Sequence, residues 1–308
     1  MKLAAKGLGT LAMGLLTLLT GCGTKEPYQQ RGGVWFYRNQ PLQLHPGERL
    51  TPLGGEFARS QRHGYFRGLA ISGSNGPSFE VLDRHYARDR AQVYYCFARR
   101  ESEDYFTTQR RVVKVLEADP ASFRVMRRGY AKDSQKVFFE GVPFEVRDAA
   151  SFELLNHGLF AQDRFSGYYN DVPIPGSDGG SFVALDDHYA RDKAHLFYAF
   201  VDLGLPPPAV LAWGLEGARA DSFEVLEGGY ARDAGRAYHA GKPLRVADGG
   251  QLKVLWLGYA KTGSRVFYEG HEVPGADAPT FEMLQPPTDQ ADARDSRSSY
   301  KQGRKTGR

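Results

Sequence analysis

The side chain best placed by type and spacing to do chemistry is a recurring aspartate: Asp89, Asp133, Asp163, Asp192 and Asp233. Repeated acids can hold calcium, but a calcium loop crowds several oxygen ligands within a few residues. Each of these aspartates instead follows Arg, Lys or Gln, and a base often comes next. Positive neighbours oppose a divalent cation, so a structural role is expected, with Asp at the first position of a type I turn. Paired rings such as Tyr94-Tyr95 offer a second chemistry, stacking on a glycan or a choline group. Adjacent strand residues face opposite sides, so one ring of each pair is expected in the core and the other is left for contact. His85 and His188 align with each other and read as turn residues; the remaining histidines hold unrelated positions. The sequence has no Gly-x-Ser-x-Gly elbow, phosphate loop, dinucleotide fingerprint or Cys-x-x-Cys pair. Catalytic residues, metal ligands and cofactors are therefore not expected.

The two cysteines, Cys22 and Cys96, have different expected fates. Lys2 and Lys6 precede an uncharged apolar run from Leu8 to Leu19, which is too short to span a bilayer and fits a signal sequence. It ends in Leu19-Thr20-Gly21-Cys22, which resembles the lipobox of bacterial lipoproteins. The resemblance implies cleavage before Cys22, a diacylglyceryl thioether on its thiol and acylation of the new N-terminus. Several acyl chains give firm anchoring, at ~0.8 kcal/mol per buried methylene. Gly23 stands where Asp would retain an enteric lipoprotein at the inner membrane, which favours the outer membrane of a Gram-negative cell. Residues 1–21 then form the signal peptide and 22–33 the lipidated start and a flexible tether. Cys96 is left as a small strand hydrophobe.

These residues sit on a repeat. Units that begin at Ser78, Ser122, Ser151, Ser181, Ser222, Gln251 and Thr280 are spaced by 44, 29, 30, 41, 29 and 29 residues. The basic period is 29 to 30, and the two long units carry insertions at Phe97–Arg111 and around Asp202–Glu216. Phe223-Glu224-Val225-Leu226 and its counterparts alternate apolar with polar and read as a short half-buried strand. Tyr230-Ala231-Arg232 makes a second strand, Asp233 a turn, and Val93-Tyr94-Tyr95 shows the third. Phe223 and Leu226 are expected in the core, with Tyr230 bracing the next strand. An Asx residue precedes most units at a fixed offset (Asn75, Asp119, Asp148, Asp178, Asp248, Asp277) and predicts a single helical turn between units. Arg88, Lys132, Arg191 and Arg232 are expected to pair with carboxylates on a solvated face. Val34-Trp35-Phe36-Tyr37 and Tyr65-Phe66 look like parts of degenerate units, and the last unit is expected to stop at Leu284.

The pattern resembles the DKNYY family of bacterial repeat proteins, most closely at Asp89-Arg90-Ala91-Gln92-Val93-Tyr94-Tyr95 and Asp192-Lys193-Ala194-His195-Leu196-Phe197-Tyr198. Thr262 replaces the aspartate in one unit, and Gly167-Tyr168-Tyr169 reads as shifted. The resemblance implies a repeated β-unit and an envelope location, and it supplies no catalytic residue.

The expected fold is all-β: tandem units of short hairpins over 34–284, stacked as an elongated or curved array, with a closed propeller-like ring as the alternative. Residues 285–308 are expected to be a disordered tail. The formal charge of +4 resides in the leader and the tail and leaves the body slightly negative, which argues against nucleic acid. The functional expectation is a non-catalytic envelope lipoprotein that binds a protein or a glycan. An envelope hydrolase acting on peptidoglycan or polysaccharide, and a purely structural spacer, are the alternatives.

Overall fold

Alternating short strands separated by Asp and Gly turns can pair only with their sequence neighbours, and they do. The structure, a computed structural model, describes residues 26–100, 109–155 and 158–307. Leu19, Thr20, Gly21 and Cys22 lie outside the described residues. Nine antiparallel sheets follow one another along the chain, each a meander in sequence order; they are numbered one to nine here. By compactness the chain divides into Met1–Pro77, holding sheets one and two, and Ser78–Arg308, holding sheets three to nine. The only helical elements among the described residues are four single 3₁₀ turns, three of them at junctions between sheets.

Within Ser78–Arg308 the core is a series of clusters, each joining consecutive sheets. In sheet six, Tyr189, Leu196 and Tyr198 enter the cluster shared with sheet seven. Their neighbours Ala190, Phe197 and Ala199 enter the cluster shared with sheet five. The period-two alternation of a strand thus feeds two cores, and each such sheet is a layer covered on both faces. This removes the contact role that the sequence leaves open for the second ring of each tyrosine pair: Tyr94, Tyr95, Tyr168 and Tyr169 are all buried, none more than 7% exposed.

Three further expectations are corrected. Of the segment expected to be a disordered tail, residues 285–307 are described, and they are folded. After Glu282–Met283, strands Ala293–Arg294, Ser299–Lys301 and Arg304–Gly307 complete sheet nine, with Tyr300 fully buried. The unit expected to end at Leu284 is therefore whole. Within the expected tether, Tyr28–Arg31 is a strand paired with Val34–Tyr37. Finally, Gly167–Tyr169 is not shifted: it pairs with Phe160–Gln162 in the register of the other units. Glycine stands at 167 because the Phe182 ring fills the space, 2.5 Å from where a Cβ would lie.

The two insertions lengthen the last hairpin of their sheets. In sheet three, Val93–Arg100 pairs with Gln109–Leu116; in sheet six, Leu196–Asp202 pairs with Ala209–Gly214.

Candidate functional site

The recurring aspartates are buried acceptor nodes. Asp233 Oδ1 accepts the N–H groups of Gly235 and Arg236, both at 2.7 Å. Its Oδ2 accepts the Arg219 N–H at 3.0 Å and the Tyr238 hydroxyl at 2.9 Å. One carboxylate therefore closes its own turn, fixes the junction leading into its unit and satisfies a buried phenol. Asp163 repeats the set with Phe165, Ser166, Arg147, Asp148 and Tyr168. Asp89 binds Ala91, Gln92 and Tyr94. Asp133 and Asp192 hold the turn and the junction but face Phe138 and Phe197, which have no hydroxyl to offer. Asp295, which sequence reasoning missed, completes the same set in sheet nine with Tyr300. All six carboxylates are buried.

Burial pushes the Asp233 carboxyl up, but the N–H groups of Arg219, Gly235 and Arg236 and the Tyr238 hydroxyl outweigh it, and its pKa is lowered. Asp192 and Asp295 are lowered by the same opposition of burial and donated hydrogen bonds. Two units build the node from other groups. In sheet eight Thr262 Oγ1 accepts from Ser264 and Arg265. In sheet two Ser60 Oγ accepts from Arg62 and His63 and donates to Glu48, which also takes the Tyr65 hydroxyl.

The other repeated residues are joints between units. Tyr86 donates to the Gly129 carbonyl and accepts from Gly141 N–H, both at 3.0 Å. Tyr189 does the same with Gly229 and Gly241, and Tyr230 with Gly258 and Gly270. Sheet five has Phe160 at this position. The sheet after it carries the long hairpin, so no tight turn stands there to bind, and the ring packs beside Ala199, Val201, Val210 and Ala212 instead. In sheet nine the position holds Asp292, which accepts Gln302 N–H and pairs with Lys301 inside its own sheet.

The cations were expected on a solvated face, and this holds in part. Arg88 and Arg232 pair with Glu80 and Glu224, but each also caps carbonyls of the following junction, Pro120 and Phe123 for one, Leu252 for the other. Lys132 is 2% exposed and donates to the carbonyls of Ala149, Ala150 and Phe152. Arg191 reaches the Ala220 carbonyl. Asp119, Asp148, Asp178 and Asp277 accept the hydroxyl of their unit's first Ser or Thr, at Ser122, Ser151, Ser181 and Thr280. That hydroxyl in turn accepts the N–H after the buried aspartate.

A cavity of about 500 Å³ between sheets seven and eight is lined by His239, Lys242, Arg245, Phe267, Glu269 and His271, among others. Its most suggestive residue is a scaffold residue. His239 sits against the Tyr230 ring at 4.6 Å and under Gly270, where other units put a tyrosine under the equivalent glycine. Burial lowers its pKa, favouring the neutral ring. His85 and His188 bond through Nδ1 to the carbonyls of Cys96 and Ala199. Cys96 is buried. Among the described residues no group of three or more His, Cys, Asp or Glu is placed to hold a metal ion.

With the repeat geometry in hand, comparison with known proteins identifies the unit. The DKNYY family model matches twice, over residues 97–242 and 168–304. The chain belongs to the DKNYY family. No curated protein and no solved structure matches it. In this chain the DKNYY repeat is a four-stranded layer whose Asp, Tyr and basic residue are the node, the joint and the junction cap.

The surface retains what the scaffold does not use. Exposed apolar side chains gather at the sixth sheet's hairpin, with Leu203 79%, Leu205 42% and Leu211 37% exposed. Trp256 and Leu257 are exposed at a turn of sheet eight, and Phe165 lies under the guanidinium groups of Arg147 and Arg164.

Proposed function

We propose that this DKNYY protein is a non-catalytic envelope lipoprotein, anchored through lipid on Cys22, whose repeat array presents a surface for a protein partner. The observation that carries the reading is how the repeated polar residues are used. Every candidate acid is consumed by backbone donors or a phenol, as at Asp163 and Asp233, which leaves it no lone pair directed at a substrate. The exposed large apolar side chains are mostly leucines and valines, which suit a protein partner better than the aromatic stacking a glycan requires. The lipobox-like Leu19-Thr20-Gly21-Cys22 supports the anchor, and Gly23 favours the outer membrane of a Gram-negative cell.

Labelling with radioactive palmitate tests the anchor: the chain incorporates label, globomycin blocks its processing, and Cys22→Ala abolishes both. Label retained by the Cys22→Ala chain refutes it. For the partner, crosslinking in intact cells followed by affinity capture is expected to recover a discrete protein. Saturable binding to purified peptidoglycan or polysaccharide with no protein adduct would transfer the surface to a glycan, and turnover of that polymer would make the protein a hydrolase.

A further inference from the structure

Sheets of this kind have a recurrent weakness, since each ends in strands whose outer N–H and C=O groups are unpaired and can template another chain. The sequence deals with this edge by edge. The fourth strands Val142–Phe144, Val172–Pro173 and Lys242–Pro243 each carry a proline, paired across from Phe138, Tyr168 and Tyr238. In antiparallel pairing, alternate residues turn their backbone groups outward. Leu244 and Ile174 N–H bond inward to Ala237 and Gly167, so the prolines beside them sit where the missing N–H would point to solvent. The first strands of sheets three to nine are two residues long. The long edge Gln109–Leu116 carries Arg110, Arg111 and Lys114.

Ala209–Gly214 has none of these protections. It is six residues long, Ala-Val-Leu-Ala-Trp-Gly, and ends the order of its sheet. No charged residue occurs from Leu203 to Leu215. Gly214 stands opposite Phe197, the register position that prolines 143, 173 and 243 take in the sister units. Leu215 N–H bonds inward to the Leu196 carbonyl, so Val210, Ala212 and Gly214 turn their backbone groups outward. Among the described residues no strand pairs there.

We infer that this edge pairs antiparallel with the same strand of a second copy, joining two sixth sheets across a two-fold axis. The charge pattern selects this occupant. An isologous pair sets a segment against its own reverse, so charges of one sign on the strand oppose or flank their copies. This edge has none, whereas a homotypic pair of Gln109–Leu116 would oppose arginines and lysines.

The test is sedimentation equilibrium of the full-length chain in density-matched detergent micelles. The native chain is expected to dimerise. Gly214→Pro installs the edge proline of the sister units, where an added Cβ meets nothing closer than the Leu196 oxygen at 3.8 Å. It is expected to weaken dimerisation at least tenfold, since each copy loses an outward donor, with the thermal midpoint unchanged. Leu211→Lys adds a charge of one sign to the same face of both edges and a cation to an apolar seam, and is expected to do the same, which decides the matter if the proline variant fails to fold. A monomer at every concentration, as expected if the edge serves a strand of a different protein, overturns the inference. So does a dimer that the folded variants leave intact.

Discussion

At the residue scale the buried aspartate ties its unit together through both carboxylate oxygens. Asp233 satisfies three N–H groups and one hydroxyl. Asp233→Ala leaves those donors buried and unmet and is expected to cost on the order of 3–4 kcal/mol in urea unfolding. Tyr238→Phe removes one bond of the set and should cost about 1 kcal/mol. The pH dependence follows from directions already described. Asp192, Asp233 and Asp295 have folded pKa values below the ordinary carboxylate value. Their contribution is full above the unfolded pKa, ~4, and is lost as pH falls through the lowered folded values. Tyr230, Tyr238 and Tyr259 are pushed up to about 12, first by burial. Their contribution is full below the unfolded value, ~10, and is lost as pH rises from there toward 12. A pH series of melting temperatures should therefore fall at both ends. The sequence showed that the aspartate was structural, but not that Thr262, or Ser60 with Glu48, does the same work. Those replacements are equivalent only in where their oxygens lie.

At the element scale the decisive contact is a tyrosine of one unit against a glycine turn of the next. Gly241 has φ +69°, and a Cβ there would lie 2.4 Å from the Tyr198 ring. Gly241→Ala is expected to cost ~2–4 kcal/mol, from backbone strain and overpacking together. Tyr230→Phe loses the bonds to Gly258 and from Gly270, both at 3.0 Å. It should cost ~1–3 kcal/mol and broaden the unfolding transition, because it loosens one interface and leaves the units themselves intact. The hairpins were legible because alternation, Asp turns and Gly turns all agree in register. Double-sided burial was not: a strand read alone is assigned one wet face, and only its neighbours in space show that both are covered. Gly167-Tyr168-Tyr169 looked shifted for a related reason, since the ring that demands glycine belongs to Phe182, in the next unit.

At the scale of the molecule each layer is stabilised by the layers beside it. Ending the chain after Leu284 would remove Ala293 and Tyr300 from the cluster that covers Tyr259, Val266 and Phe281. The truncated chain is expected to melt at least several degrees lower and to be cleaved by protease within sheet eight, which differential scanning fluorimetry and limited proteolysis would read out. An unchanged melting temperature would mean that sheet nine contributes nothing. This last unit escaped sequence reading because Asp292 stands for the expected tyrosine and Ser299-Tyr300-Lys301 for the expected apolar strand, so composition imitated a tail. The repeat period and both insertions, by contrast, were plain from spacing alone.

The tyrosine–glycine joint also bears on how such a chain can grow. At the joints that Tyr86, Tyr189 and Tyr230 make, one half is carried by each copy: a phenol facing forward and a glycine turn facing back. An in-frame duplication of one whole copy therefore creates a complete new joint with no compensating mutation. Recombination between any two such copies preserves the joints on either side. The hairpin copy of sheet six is an exception, because Phe160 ahead of it has traded its hydroxyl for a ring that the hairpin packs upon. That copy can be inherited at a new position only together with its predecessor. The array should therefore vary in length mainly through its plain copies, with the sixth sheet's hairpin copy and Phe160 before it moving as one heritable pair.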